Sequence, residues 1–104
     1  MNVIYEMLAE EKKRNIKMQQ AYRSELEKLP KGTICKKIIG NKAYFYLKYR
    51  QGKKIISKYV GKDSEQISIL VDILIEKIKK RKYLENVIRA LRAEYRTLCK
   101  VVKD

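Results

Sequence analysis

The chain has 104 residues, 26 Lys and Arg against 12 Asp and Glu, and no His, for a formal charge of +14 at pH 7. Hydrophobic residues at 45% exclude a disordered polar tail, and four Gly with one Pro leave little room for long loops. A chain this short is expected to fold as a single domain, 1–104, with a thin core.

Residues 2–28 contain neither Gly nor Pro, and Ile4, Leu8, Met18, Tyr22, Leu26 and Leu29 fall near one helical stripe, which predicts a helix over 1–29. Glu11 and Asn15 interrupt the stripe, so the middle of this helix is expected to be wet. Leu29-Pro30-Lys31-Gly32 ends it, because the residue before proline is driven from the α region and glycine permits a sharp exit.

Residues 33–60 change to short runs of β-branched and aromatic residues broken at Gly40-Asn41 and Gln51-Gly52, the pattern of two successive hairpins. Strands are expected over 33–39, 42–50 and 53–60. A helix over 63–103 follows, with Asp63 or Ser64 as its cap and Glu65 in its first turn. Its stripe runs Ile67, Leu70, Leu74, Ile78, Leu84, Ile88, Leu91, Tyr95, Leu98 and Val102, broken only by Arg81, where a break in the helix is anticipated. The fold class is therefore α+β: a long N-terminal helix, a three-stranded antiparallel meander and a long C-terminal helix, the helices packed as a hairpin or coiled coil.

The charge is concentrated. Residues 31–62 hold ten basic side chains and no acidic one, whereas 1–30 hold six and five and 63–104 hold ten and seven. A two-residue Gly40-Asn41 turn pairs Ile39 with Lys42, so Lys37, Tyr44, Cys35, Tyr46, Thr33 and Lys48 share one face, opposite Ile34, Ile38, Ala43, Phe45 and Leu47. A three-residue Arg50-Gln51-Gly52 loop would add Lys54 and Lys58 to the first face and Ile55 and Tyr59 to the second; a two-residue loop would reverse the third strand. The expected outer face is Lys37, Lys42, Tyr44, Tyr46, Lys48, Arg50, Lys54 and Lys58, with Lys53 at the hairpin tip and helices covering the other side. Cations that neutralise phosphates, interleaved with rings that meet sugars or bases, form the footprint of a nucleic-acid surface. Edge protection by lysine or an acidic protein partner are the competing readings. A second basic patch, Lys77, Lys79, Lys80, Arg81 and Lys82, winds around the last helix and could grip phosphates beside the sheet.

Catalysis has little to work with. There is no His, no acid in the sheet, no Gly-rich phosphate loop and no base near Ser57 beyond Lys54 and Lys58, so no enzyme and no catalytic residue is expected. Cys35 and Cys99 form no Cys-x-x-Cys pair, so no metal site and no cofactor is expected, and they read as reduced thiols. No stretch approaches the roughly 18 apolar residues of a membrane span, which makes a cytoplasmic protein without membrane contact the expectation.

Leu29-Pro30-Lys31-Gly32-Thr33-Ile34, Lys42-Ala43-Tyr44-Phe45-Tyr46-Leu47-Lys48-Tyr49-Arg50 and Ser57-Lys58-Tyr59-Val60-Gly61-Lys62 together resemble a module of uncharacterised small proteins of bacteria, archaea and their mobile elements. The same segment is similar to the three-stranded DNA-binding sheet of phage-type tyrosine recombinases, although the long flanking helices depart from that pattern. That likeness implies base or phosphate contacts from Lys42, Tyr44, Tyr46, Lys48, Arg50, Lys54 and Lys58. The expected function is nucleic-acid binding, DNA favoured over RNA, in a phage or mobile-element protein. The alternative is a protein-interaction module, for instance a phage-encoded inhibitor of a host defence nucleoprotein complex, acting through its helices and basic face. A homodimer through Leu84, Ile88, Leu91, Tyr95 and Leu98 is also anticipated.

Overall fold

The structure, a computed structural model, describes residues 2–103. Helix α1 spans Val3–Glu27, strands β1 Thr33–Ile39, β2 Lys42–Gln51 and β3 Lys54–Lys62 follow, and helix α2 spans Glu65–Val101. The sheet is antiparallel in the order β1-β2-β3. This is the α+β arrangement that the alternation of patterns in the sequence predicts.

Each helix begins on a side-chain cap. Asn2 Oδ1 accepts from the backbone N–H groups of Ile4 (3.0 Å) and Tyr5 (3.3 Å), and Ser64 Oγ accepts from that of Ile67 at 3.2 Å. Asp63, the other candidate cap, instead extends the sheet, its N–H donating to the Ala43 carbonyl at 2.9 Å. Gly32 makes the exit from α1 possible: its φ is +120°, and a Cβ there would collide with the Lys48 carbonyl oxygen.

Contacts gather into two compact units, one of Leu29–Arg81 and one of the helical segments up to Lys28 and from Lys82. α2 runs unbroken through both, so the break anticipated near residue 81 does not occur. No Gly or Pro lies between Glu65 and Val101, and Arg81, which interrupts the apolar stripe, is half-buried with Nη1 donating to the Leu29 carbonyl at 2.8 Å. The charge in the stripe serves as an anchor for the loop before β1.

In the helical unit α1 and the C-terminal part of α2 lie antiparallel. Tyr5 Oη donates to the Lys103 carbonyl (3.3 Å), Lys12 Nζ to that of Val102 (3.1 Å) and Asn15 Nδ2 to that of Leu91 (3.0 Å). The α1 seam is Leu8, Lys12, Asn15, Gln19, Tyr22 and Leu26, stepping alternately by four and three, against Leu84, Ile88, Leu91, Tyr95, Leu98 and Val102 with the same steps. The middle of α1 is therefore dry rather than wet. Asn15, at 2% exposure, is among the most buried residues of the chain, and Gln19 is at 6%. They avoid a desolvation penalty by bonding one another, Gln19 Nε2 donating to Asn15 Oδ1 at 2.7 Å, with Arg23 Nη2 donating to Gln19 Oε1 at 3.5 Å. Ile4 and Met18, assigned to the stripe by sequence, are exposed instead.

Of the residues anticipated for a dimer seam, Leu84, Ile88, Leu91 and Leu98 are buried and Tyr95 is half-buried within the single chain.

In the sheet unit every β1–β2 pair falls where the Gly40-Asn41 turn puts it, from Ile39 opposite Lys42 to Thr33 opposite Lys48. Gly40 has φ +64° and Asn41 a negative φ, the signature of a two-residue type II′ turn. The second hairpin repeats that turn at Gly52-Lys53, with Gly52 at φ +62° and Gln51 opposite Lys54. A bulge at Val60 then lets Tyr46 face Tyr59 while Phe45 faces Gly61. Val71 and Ile78 of α2 are this unit's buried apolar side chains; on the sheet itself only Gly61 is buried, against Ile67, where a Cβ would lie 2.5 Å from Cδ1. Among the described residues no helix is long and apolar enough to cross a membrane.

Candidate nucleic-acid interface

Side chains alternate across a strand, so the register assigns faces. One face carries Thr33, Cys35, Lys37 and Ile39 of β1, then Lys42, Tyr44, Tyr46, Lys48 and Arg50 of β2, then Ile55, Ser57, Tyr59 and Lys62 of β3. The other carries Ile34, Lys36, Ile38, Ala43, Phe45, Leu47, Tyr49, Gln51, Lys54, Ile56, Lys58 and Gly61.

Six of the expected site residues are thus brought together: Lys37, Lys42, Tyr44, Tyr46, Lys48 and Arg50. Lys54 and Lys58 are not. The three-residue loop is replaced by a two-residue turn, which shifts β3 by one and sends both lysines to the Phe45 face, Lys58 opposite Leu47 and Lys54 opposite Gln51. Lys53 occupies the turn itself, exposed. In exchange Tyr59 and Lys62 join the first face, the former through the turn and the latter through the bulge, which restores Lys62 to the side of Tyr44. The signal for Tyr59 was in the sequence, since Gly40-Asn41 and Gly52-Lys53 share the Gly-X form; the bulge has no comparable signal.

The rings on this face touch. Tyr59 meets Tyr46 edge to face with centroids 5.5 Å apart and lies tilted by 44° at 6.5 Å from Tyr44. Lys37 Nζ stands 4.7 Å from the Tyr46 centroid, a cation held over a π face. Tyr44 and Tyr46 are half-buried, whereas Tyr59 is 57% exposed. The opposite face has weaker counterparts, Lys36 at 5.8 Å from Phe45 and Lys31 at 6.0 Å from Tyr49. The sheet is therefore cationic on both sides, but the contiguous tyrosine cluster sits on one.

The helical patch does not form a comparable site. Lys79 pairs with Glu76 at 3.5 Å, Arg81 holds Leu29, and Lys77, Lys80 and Lys82 are exposed at positions spread around the helix. Cys35 and Cys99 are free and half-buried. Among the described residues no three His, Cys, Asp or Glu side chains gather as a metal site would require.

A family described as Domain of unknown function (DUF6788) matches residues 7–68, which run from α1 through the whole meander to the first turn of α2. No curated protein and no solved structure matches the chain. With more than half of its length covered, the meander included, the chain belongs to the DUF6788 family.

Proposed function

We propose that this protein binds nucleic acid through the tyrosine face of its sheet. The observation that carries the reading is the composition of that face: Lys37, Lys42, Lys48, Arg50 and Lys62 surround Tyr44, Tyr46 and Tyr59, in a segment of 32 residues without one acid. Edge protection accounts for single lysines on outer strands, not for Lys42, Lys48 and Arg50 on the central one. If all five cations meet phosphates, log K falls with log salt at a slope of about −4.5 for a duplex or about −3.5 for a single strand.

The register supplies a charge-matched test. Lys48→Glu with Arg50→Glu and Lys54→Glu with Lys58→Glu each lower the formal charge from +14 to +10, one pair on the tyrosine face and the other behind it. Long-range attraction falls equally in both, so a difference in affinity measures local contact. Fluorescence anisotropy at 50 mM salt should find the first pair several-fold weaker than the second; equal losses would mean that net charge alone attracts the ligand, and no binding by the unsubstituted protein would remove the reading.

Ile69, Leu70 and Ile73, all exposed on α2, favour a second reading, a protein-interaction surface on that helix. Ile69→Asn with Ile73→Asn, which leaves the net charge alone, would abolish a protein contact there and leave nucleic-acid affinity unchanged.

A further inference from the structure

Resting on that reading, we infer that the ligand is single-stranded, with one base stacked on Tyr59. Both the geometry of the rings and the order of charges along β2 support this. Tyr46 already has Lys37 over its ring and Tyr59 against it, and Tyr44 is half-buried, which leaves Tyr59 as the ring of the cluster that is open to solvent. Tyr46 and Tyr44 flank it and limit its rotation, so the ring is held before a base arrives and little side-chain entropy is lost on stacking.

Along β2 the same face reads Lys42, Tyr44, Tyr46, Lys48, Arg50. Alternate strand residues are about 6.6 to 6.8 Å apart, so this row spans about 27 Å with cations at both ends and rings between. An extended strand of about four nucleotides, the lower end of the usual footprint on a sheet platform, covers that length with its phosphates at the ends and one base over Tyr59 beside the row.

A duplex fits the same face poorly. Its bases are stacked on one another and offer only their edges in the grooves, which are read by the amide and guanidinium groups of Asn, Gln and Arg. Lys42, Lys48 and Arg50 stand at the two ends of the β2 row, but the centre of this face, where a groove would be read, holds tyrosines, and Gln51 lies on the other side. Stacking needs an unpaired base, and every base has a ring face, so the preference is for strandedness rather than sequence.

The test titrates the full-length protein against a labelled 12-nucleotide single strand carrying an internal 2-aminopurine, and against the same strand annealed to its complement. The expected result is tighter binding of the single strand, quenching of 2-aminopurine on binding, and a loss of about tenfold or more in single-strand affinity for Tyr59→Leu, restored by Tyr59→Phe. The salt slope of Tyr59→Leu stays that of the parent, since no phosphate contact is lost. Because Tyr59 is exposed, circular dichroism should find the variant folded. A duplex bound more tightly, or a Tyr59→Leu affinity equal to the parent's, overturns the single-strand inference while leaving the nucleic-acid reading intact. No binding to either ligand at low salt removes that reading, and the inference falls with it.

Discussion

The buried amides of the helical unit give a sharp prediction. Replacing Asn15 by Ala deletes the donor to the Leu91 carbonyl and the acceptor of Gln19 Nε2, leaving the Gln19 amide buried with one bond fewer. Each lost neutral hydrogen bond is worth about 1 kcal/mol net, and an orphaned buried amide adds about 1 to 3 kcal/mol, so Asn15→Ala should cost at least about 3 kcal/mol. In a domain of this size 1 kcal/mol shifts Tm by about 4 to 8 °C, which makes the expected drop at least about 12 °C. The double variant Asn15→Leu with Gln19→Leu removes both partners together and fills the seam, so it should be close to the parent in stability or above it. Urea unfolding followed by circular dichroism at 222 nm measures both. A single variant within 0.5 kcal/mol of the parent, or a double variant less stable than the single, would refute the account of a mutually satisfied pair.

Two further substitutions test the ties within the sheet unit. Gly32→Ala forces both a φ of +120° and a collision with the Lys48 carbonyl, so it should cost well above the 1 to 2 kcal/mol of a left-handed alanine, whereas Gly52→Ala, with open space around it, should cost only about that penalty; thermal melts of the two variants should be separated by several degrees. Arg81→Met keeps the apolar stem and removes the donor to Leu29, so a loss of about 1.5 to 3 kcal/mol by denaturant unfolding is expected, and no loss would mean that the bond contributes nothing.

The parts of the fold legible in the sequence are those whose local chemistry admits one solution. Gly40-Asn41 between alternating strands fixed every pair of the first hairpin, and Pro30 with Gly32 placed the end of α1. In the second hairpin the three-residue Arg50-Gln51-Gly52 loop gives way to a two-residue turn, and glycine at the first central position, as in Gly40-Asn41, points to Gly52-Lys53. A shift of one residue exchanges faces, and so two lysines left the candidate site and Tyr59 entered it. In α1 the steps of four and three were present from Leu8 to Leu26, but Lys12, Asn15 and Gln19 occupy three of the six positions, and a pattern built on apolar residues passes over them. Only the structure shows that these amides are partners of each other and of the Leu91 backbone.

The same charge that suits the sheet for a polyanion should weaken its folding, and salt separates the two effects. Lys48 and Arg50 are alternate residues on one face, about 7 Å apart, and Lys37 and Lys42 are diagonal neighbours across the hairpin at about 7 to 8 Å. At the dielectric of water each such pair repels by about 0.6 kcal/mol, and a few of them amount to roughly 1 to 2 kcal/mol when the Debye length is about 30 Å. No acid within residues 31–62 offsets this, whereas the helical unit carries exposed pairs such as Arg14 with Glu11 at 3.2 Å, each worth little and therefore losing little on screening. Raising salt from 10 mM to 0.5 M should consequently raise Tm by several degrees, and Lys48→Gln with Arg50→Gln should raise Tm at low salt and flatten its dependence on salt. Over the same titration nucleic-acid affinity should fall, because phosphates and salt anions compete for the same cations. A Tm that is flat or falls with salt would show that the cations are too far apart or too well solvated to repel, and the argument that the charge of this sheet weakens its folding would fail with it.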